Sequence, residues 1–222
     1  MQHTYDLVVF DLDGTLLNTI DDLGTAVNHA LEERGLPLHT MVEYAAMVGH
    51  GVRNLVKAAL PSDIRDDDAK VDSALASFVS YYKSHIDVHT RPYEGMPELL
   101  RSLSSAGVKL AVASNKFQSG TETLIRQFFG DIPFVAIFGN MEGVPLKPDA
   151  ALVHRIVSIA FPEGGEHKVV LVGDSDTDMK TALNAGIPSV AVTWGFRSRE
   201  ELTAAGATVF ADTAAQLASA LR

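Results

Sequence analysis

From Arg91 to the C-terminus, short apolar runs of strand length alternate with longer segments of helical period. No other feature of the sequence restricts the possible fold as strongly. Strands are expected at Val108–Ala113, Phe134–Phe138, Lys168–Val172, Ser189–Val192 and Thr208–Phe210. Helices are expected at Met96–Ala106, Ser119–Phe129, Asp149–Phe161, Asp176–Asn184, Arg199–Ala205 and Ala214–Leu221. Gly107, Gly130 and Gly186 stand where three of these helices should stop, as C-terminal capping requires. Strands that alternate with helices cannot be joined by hairpins. They form a parallel sheet covered by helices on both faces, an α/β doubly wound architecture.

Upstream the pattern differs. Tyr5–Phe10 reads as one buried strand, and residues 17–89 then contain helix and loop with no convincing strand. Leu23, Ala26, Val27, Ala30 and Leu31 share one helical face, with Asp21 and Asp22 in the first turn. Further helices are expected at Met41–Met47, Val52–Leu60 and Ala69–Ile86. The expected organisation is a core made of residues 1–16 and 90–222, with an all-helical cap, residues 17–89, inserted after the first strand.

The 222 residues carry a formal net charge of −10, which disfavours a nucleic-acid partner and requires a local reversal of sign before an anionic substrate can bind. With no cysteine, thiolate catalysis and sulfur-ligated metals are excluded. No apolar run approaches a membrane span and no signal-like segment precedes the first strand, so a soluble cytoplasmic protein without a membrane partner is expected. Either a monomer or a homodimer is compatible with the chain.

In open parallel sheets ligands bind beyond the carboxyl ends of the strands. The first strand ends at Asp11-Leu12-Asp13-Gly14-Thr15, the second at Ser114-Asn115-Lys116, and a later one at Gly173-Asp174-Ser175-Asp176-Thr177-Asp178. Lys147-Pro148-Asp149 precedes a helix. If the extended backbone persists, Asp11 and Asp13 share a face and repel unless a cation or proton lies between them. Two readings of that stretch stand, a metal-assisted carboxylate pair and a polar strand end with an Asp-Gly turn. Taken singly, Ser114 reads as a helix cap and Lys147 as a solvated lysine. Asp174, Asp176 and Asp178 begin like a calcium-binding EF-hand loop, but Met179 and Ala185 occupy its Gly and Glu positions, which rejects it.

The ordered set resembles the haloacid dehalogenase superfamily over essentially the whole chain, and within it the phosphoglycolate-phosphatase-like hydrolases with a helical cap. The resemblance implies a phosphatase acting on a small phosphorylated metabolite. In it Asp11 is the nucleophile that forms an aspartyl-phosphate and Asp13 the general acid and base. Ser114 and Lys147 hold the phosphoryl group, with Gly14 and Asn115 beside it. A magnesium ion would sit on Asp11, the Asp13 carbonyl and Asp174, with Asp178 orienting Lys147 or a metal-bound water. The Gly49-His50-Gly51 turn resembles the family's specificity loop, which would turn His50 and Arg53 toward the leaving group; a structural turn with two exposed residues is the competing reading. Asn18-Thr19 departs from the Asp-Ser that many relatives carry, at the entrance to the cap. 2-Phosphoglycolate is the substrate expected from the resemblance. A phosphomutase or pyrophosphatase of the same fold competes with a phosphatase. Asp13 argues against a dehalogenase, and the full set of polar residues against a non-catalytic binding module.

Lys116 either enters the cleft or is solvated. Trp194 reads as packing. His85 and His89, spaced i,i+4 without an adjacent Glu, read as surface histidines rather than metal ligands.

Overall fold

The computed structural model describes residues 4–222. Strand β1 (Leu7–Phe10) is followed by a two-residue strand β2 (Leu17–Asn18) and four helices: α1 (Ile20–Glu32), α2 (Met41–Met47), α3 (Val52–Ala59) and α4 (Asp68–Ser84). The chain returns through β3 (Arg91–Pro92). It then alternates through α5 (Met96–Ser105), β4 (Lys109–Phe117), α6 (Gln118–Phe129), β5 (Phe134–Asn140), α7 (Ala151–Ala160) and β6 (Val169–Gly173). The last elements are α8 (Asp176–Ala185), β7 (Ser189–Val192), α9 (Arg199–Ala204), β8 (Phe210–Ala211) and α10 (Ala214–Ala220).

Six strands form one sheet in the order β5-β4-β1-β6-β7-β8, and each neighbouring pair is parallel. This is the expected α/β doubly wound sheet. β1 lies between β4 and β6 with all four residues fully buried, because strands covered on both faces have no polar side. Its side chains alternate between two layers. Val8 and Phe10 pack with Leu100, Leu103 and Leu124 on one face, while Leu7 and Val9 pack with Leu152 and Ile156 of α7 on the other. The carboxyl ends of β1, β4 and β6 therefore emerge side by side.

Two expectations are corrected. β4 does not stop at Ala113 but continues to Phe117, with its pairing to β5 shifted between Ala113 and Phe117, so Ser114, Asn115 and Lys116 lie within an irregular strand end. Residues 17–89 are also not free of strand. Leu17 and Asn18 pair antiparallel with Pro92 and Arg91. Two residues are too few to leave a periodic signal, and their partners stand more than seventy positions away. Beside this ribbon the buried Asp22 carboxylate accepts from the His89 and Thr90 backbone N–H groups and from Thr90 Oγ1, at 2.8–3.0 Å. An acid expected only to complement a helix dipole thus ties together the two chain segments that enter and leave the helical part.

The four helices pack on one another around Leu31, Tyr44, Phe78 and Tyr82. Asp67 caps α4 through the Ala69 and Lys70 N–H groups, and Thr40 forms a reciprocal capping box with Glu43 on α2. Among the described residues no helix is long and apolar enough to cross a membrane.

Candidate active site

The Asp11 N–H donates to Val172 O at 2.9 Å, so Asp11 continues β1 by one residue before the chain turns. The turn closes on the Leu12 carbonyl, which accepts from the Thr15, Leu16 and Leu17 N–H groups. Gly14 sits at φ +86° and gives its own N–H to Leu17 O at 2.9 Å. That donor is spent inside the loop, which corrects the expectation that Gly14 binds substrate. Its lack of a side chain has another use. A Cβ there would stand 2.2 Å from Asp174 Oδ2, and one on Gly195 would stand 2.3 Å from the same oxygen. The two glycines make room for a buried carboxylate.

Asp174 follows β6 directly. Its Oδ1 accepts from Thr15 Oγ1 at 2.9 Å and its Oδ2 from the Phe196 N–H at 2.8 Å. Ser175 then caps α8. Its Oγ accepts from the Asp178 N–H and donates to Asp178 Oδ2 at 2.6 Å, and its N–H donates to the same oxygen at 3.1 Å. Asp178 is fully buried and its remaining oxygen accepts from Lys147 Nζ at 2.7 Å. Lys147 also donates to Asp11 Oδ1 at 2.8 Å. A lysine that reads as solvated when taken alone is thus buried between two carboxylates.

Burial raises Asp11 well above the usual carboxylate range, and the Asp178 charge pushes the same way against the pull of Lys147. Burial, and then Asp178, lift Asp174 to about 7. Burial acts to lower Lys147, but Asp11 and Asp178 outweigh it and hold the ammonium charged. Asp11, Asp174 and Asp178 each place a carboxylate oxygen within 4.8 Å of the others. Asp11 and Asp174 line the cavity, whereas Asp178 lies fully buried behind it between Lys147 and Ser175, which leaves Asp11 and Asp174 as the acids placed to hold a cation. Oxygen donors and excess negative charge suit a hard divalent ion.

Asn115 Oδ1 accepts from the Lys147 N–H at 2.9 Å, while its Nδ2 donates to the carbonyls of Lys147 and Gly49, both at 3.0 Å. Its side chain is therefore a clamp between the lysine loop and the Gly49–Gly51 turn. Ser114 is buried, caps no helix, and lines the cavity together with Asp11, Asp13, Lys147 and Asp174. Lys116 is buried, not solvated. Its Nζ donates to Asp13 Oδ1 at 3.1 Å and to Tyr82 Oη of α4 at 2.7 Å.

His50 and Arg53 do not line the cavity. Gly49 and Gly51 present their backbone to it and leave His50 exposed. On α3, Val52 and Leu55 share the inner face, whereas Arg53 lies round the helix and pairs with Asp68 at 2.7 Å and with Asp72. The expectation that these two residues face the leaving group is corrected by that geometry.

Sequence reasoning missed Phe196 and Arg197, which also line the cavity. Arg197 donates to the carbonyls of Ala45, Ala46 and Val48 at the end of α2, at 2.5, 3.3 and 2.6 Å. Both follow the carboxyl end of β7, where the strand-end rule that located the other residues applies equally. Trp194 is partly buried against the core and donates from Nε1 to Thr15 O at 3.1 Å, so its packing role includes fastening the Asp11 turn. Residues His85 and His89 take no part in the acidic cluster.

The architecture has close counterparts. A candidate phosphoglycolate phosphatase from Lactobacillus delbrueckii subsp. bulgaricus superposes with a TM-score of 0.89 at 32% identity, covering 98% of each chain. A phosphoglycolate phosphatase of Mesorhizobium japonicum is 36% identical over 194 residues, 87% of this chain and 85% of the relative. One from Agrobacterium fabrum is 34% identical over 86% of this chain and 81% of the relative. The haloacid dehalogenase-like hydrolase family model matches residues 8–192, which include Asp11, Asp13, Ser114, Lys147 and Asp174, and the chain belongs to that family.

Proposed function

We propose that this hydrolase cleaves small phosphomonoesters, 2-phosphoglycolate foremost, with Mg²⁺ and through a phosphoryl group carried transiently on Asp11. The observation that carries the reading is the placement of Lys147 Nζ, 2.8 Å from Asp11 Oδ1 in a cavity that also exposes Asp13 and Ser114. A buried nucleophilic carboxylate with a fixed cation beside it suits attack on a phosphoryl group. The substrate rests on the names of the relatives.

An Asp11 oxygen attacks phosphorus, and the bond from phosphorus to the leaving alcohol breaks. Asp13 gives that oxygen its proton. Asp13 then takes a proton from water, whose oxygen attacks the phosphorus of the acyl phosphate, releasing inorganic phosphate and restoring Asp11. Lys147 and Ser114 bind the phosphoryl oxygens throughout, and Asp178 fixes the lysine. The residues that would hold Mg²⁺ are Asp11 and Asp174, with the Asp13 carbonyl. When bound, the ion supplies positive charge that shields Asp11 from the anionic substrate.

Helices α1–α4 act as the cap over a core whose described residues are 4–16 and 90–222. Leu23, Val48, Val52 and Leu55 of the helical part line the cavity opposite the strand ends that carry Asp11 and Ser114, so opening and closing of the cap admits the substrate and then excludes water.

The test is phosphate release from a panel of phosphomonoesters and pyrophosphate with Mg²⁺, using wild type and Asp11→Asn. Release by wild type and none by the variant is expected, since Asn keeps the shape and loses the nucleophile. Turnover retained in Asp11→Asn would remove the mechanism. Conversion of sugar phosphates without free phosphate would favour the mutase.

A further inference from the structure

Three cations line the cavity, and two are spent. Lys147 is held by Asp11 and Asp178. Arg197 is committed to three carbonyls at the end of α2. Lys116 differs: its side chain is fully buried, but among the described residues its ammonium has a single carboxylate partner, Asp13, in a forked contact of 3.1 and 3.4 Å, and otherwise meets only the neutral hydroxyl and ring of Tyr82. The rest of that wall, Leu23, Val48, Val52 and Leu55, is apolar.

We propose that Lys116, positioned by Tyr82 of α4, recognises an anionic group on the alcohol portion of the substrate, so that the site selects short phosphomonoesters whose leaving group carries a carboxylate. The proposal rests on the assignment of Asp13 as the acid for the leaving oxygen. A group that protonates that oxygen touches it at hydrogen-bond distance, and Lys116 is at hydrogen-bond distance from the same group. The ammonium therefore lies within about two hydrogen-bond lengths, ~6 Å, of the leaving oxygen. A carboxylate one carbon beyond the oxygen reaches it, whereas a long leaving group would run into the apolar wall. In so buried a place an ion pair is screened little by water, so a neutral analogue forfeits much of the attraction. Tyr82 belongs to the helical part and Asp13 to the sheet end, so the subsite is complete only with the two together.

The experiment compares the catalytic efficiency, kcat/KM, of two esters. One is phosphoglycolate; the other is hydroxyethyl phosphate, in which a neutral CH₂OH replaces the carboxylate. Wild type, Lys116→Met and Tyr82→Phe are measured, with thermal melting as the check on folding. Wild type should prefer the carboxylate by at least ~30-fold. Lys116→Met should slow both substrates yet shrink that preference at least ~10-fold, chiefly by weakening the binding of the carboxylate ester, and Tyr82→Phe should shrink it ~3-fold. An unchanged preference in folded Lys116→Met overturns the proposal. If that variant does not fold, an unchanged preference in Tyr82→Phe does so. A wild type that turns over both esters equally overturns the carboxylate substrate itself, and with it this subsite. A wild type that releases no phosphate from either overturns the hydrolytic reading, a result distinct from the other two.

Discussion

The side-chain amide of Asn115 pairs reciprocally with the backbone of Lys147, accepting from its N–H at 2.9 Å and donating to its C=O at 3.0 Å. This pair sets the loop from which the Lys147 ammonium reaches Asp11, and the same Nδ2 reaches across to Gly49. Asn115 thus acts through the lysine. Asn115→Ala leaves a buried N–H and two carbonyls without partners, which costs about 2–4 kcal/mol. Phosphate release should fall ~10²-fold, mostly in kcat, because a misplaced Lys147 weakens the transition state more than the ground state. Steady-state kinetics and a urea titration check both parts. A change confined to KM would contradict the assignment.

Lys147→Met should be worse for the metal-free protein than for catalysis alone. It leaves Asp11 and Asp178 buried without their shared cation, and breaking a buried pair in this way costs about 3–5 kcal/mol. Activity should disappear. Adding Mg²⁺ should recover part of the stability and none of the turnover. Thermal melts with and without Mg²⁺, beside a phosphate assay, separate the two effects.

Two glycines offer an internally controlled comparison. Gly14 and Gly143 both have positive φ, +86° and +77°, but a Cβ on Gly143 meets nothing within 4 Å, while one on Gly14 overlaps Asp174 Oδ2. Gly143→Ala should carry only backbone strain, about 1 kcal/mol, with activity kept. Gly14→Ala should add displacement of Asp174, so that Mg²⁺ half-saturation rises at least ~10-fold and turnover collapses. Calorimetric titration with Mg²⁺ on both variants decides it.

Stability of the metal-free protein should depend on pH with a defined sign. Asp174 titrates at about 7 in the folded chain, against about 4 for an unfolded aspartate. Between those values the folded state holds more protons than the unfolded one, so the contribution of Asp174 to stability falls as pH rises from about 4 to about 7 and is flat above. Asp11, raised by the same burial, acts in the same direction. The stability difference between wild type and Asp174→Asn should therefore move in favour of the variant as pH rises through that window. Mg²⁺ should raise the wild-type melting temperature more at pH 8 than at pH 5. Equal increments at both pH values would contradict it.

The amino-acid sequence alone determined the alternation of strands and helices, the helical insertion, and the order of Asp11, Asp13, Ser114, Lys147 and Asp174. These are local matters: period, capping and strand-end polarity act over a few residues and leave their trace in a short window. Only the tertiary structure decided which cations enter the cavity. Lys116 and Arg53 are both basic residues near strand-end or loop signals, yet one is buried against Asp13 and the other pairs outward with Asp68 and Asp72. That choice depends on which carboxylates the fold brings within reach, from 103 positions away for Lys116. The contacts of Arg197 and the Leu17–Pro92 pairing were illegible for the same reason, since their partners are backbone atoms of distant segments that carry no side-chain signature. Even Asn115, a candidate from its place at a strand end, shows its clamping contacts only once the fold has set Lys147 and Gly49 on either side of its amide.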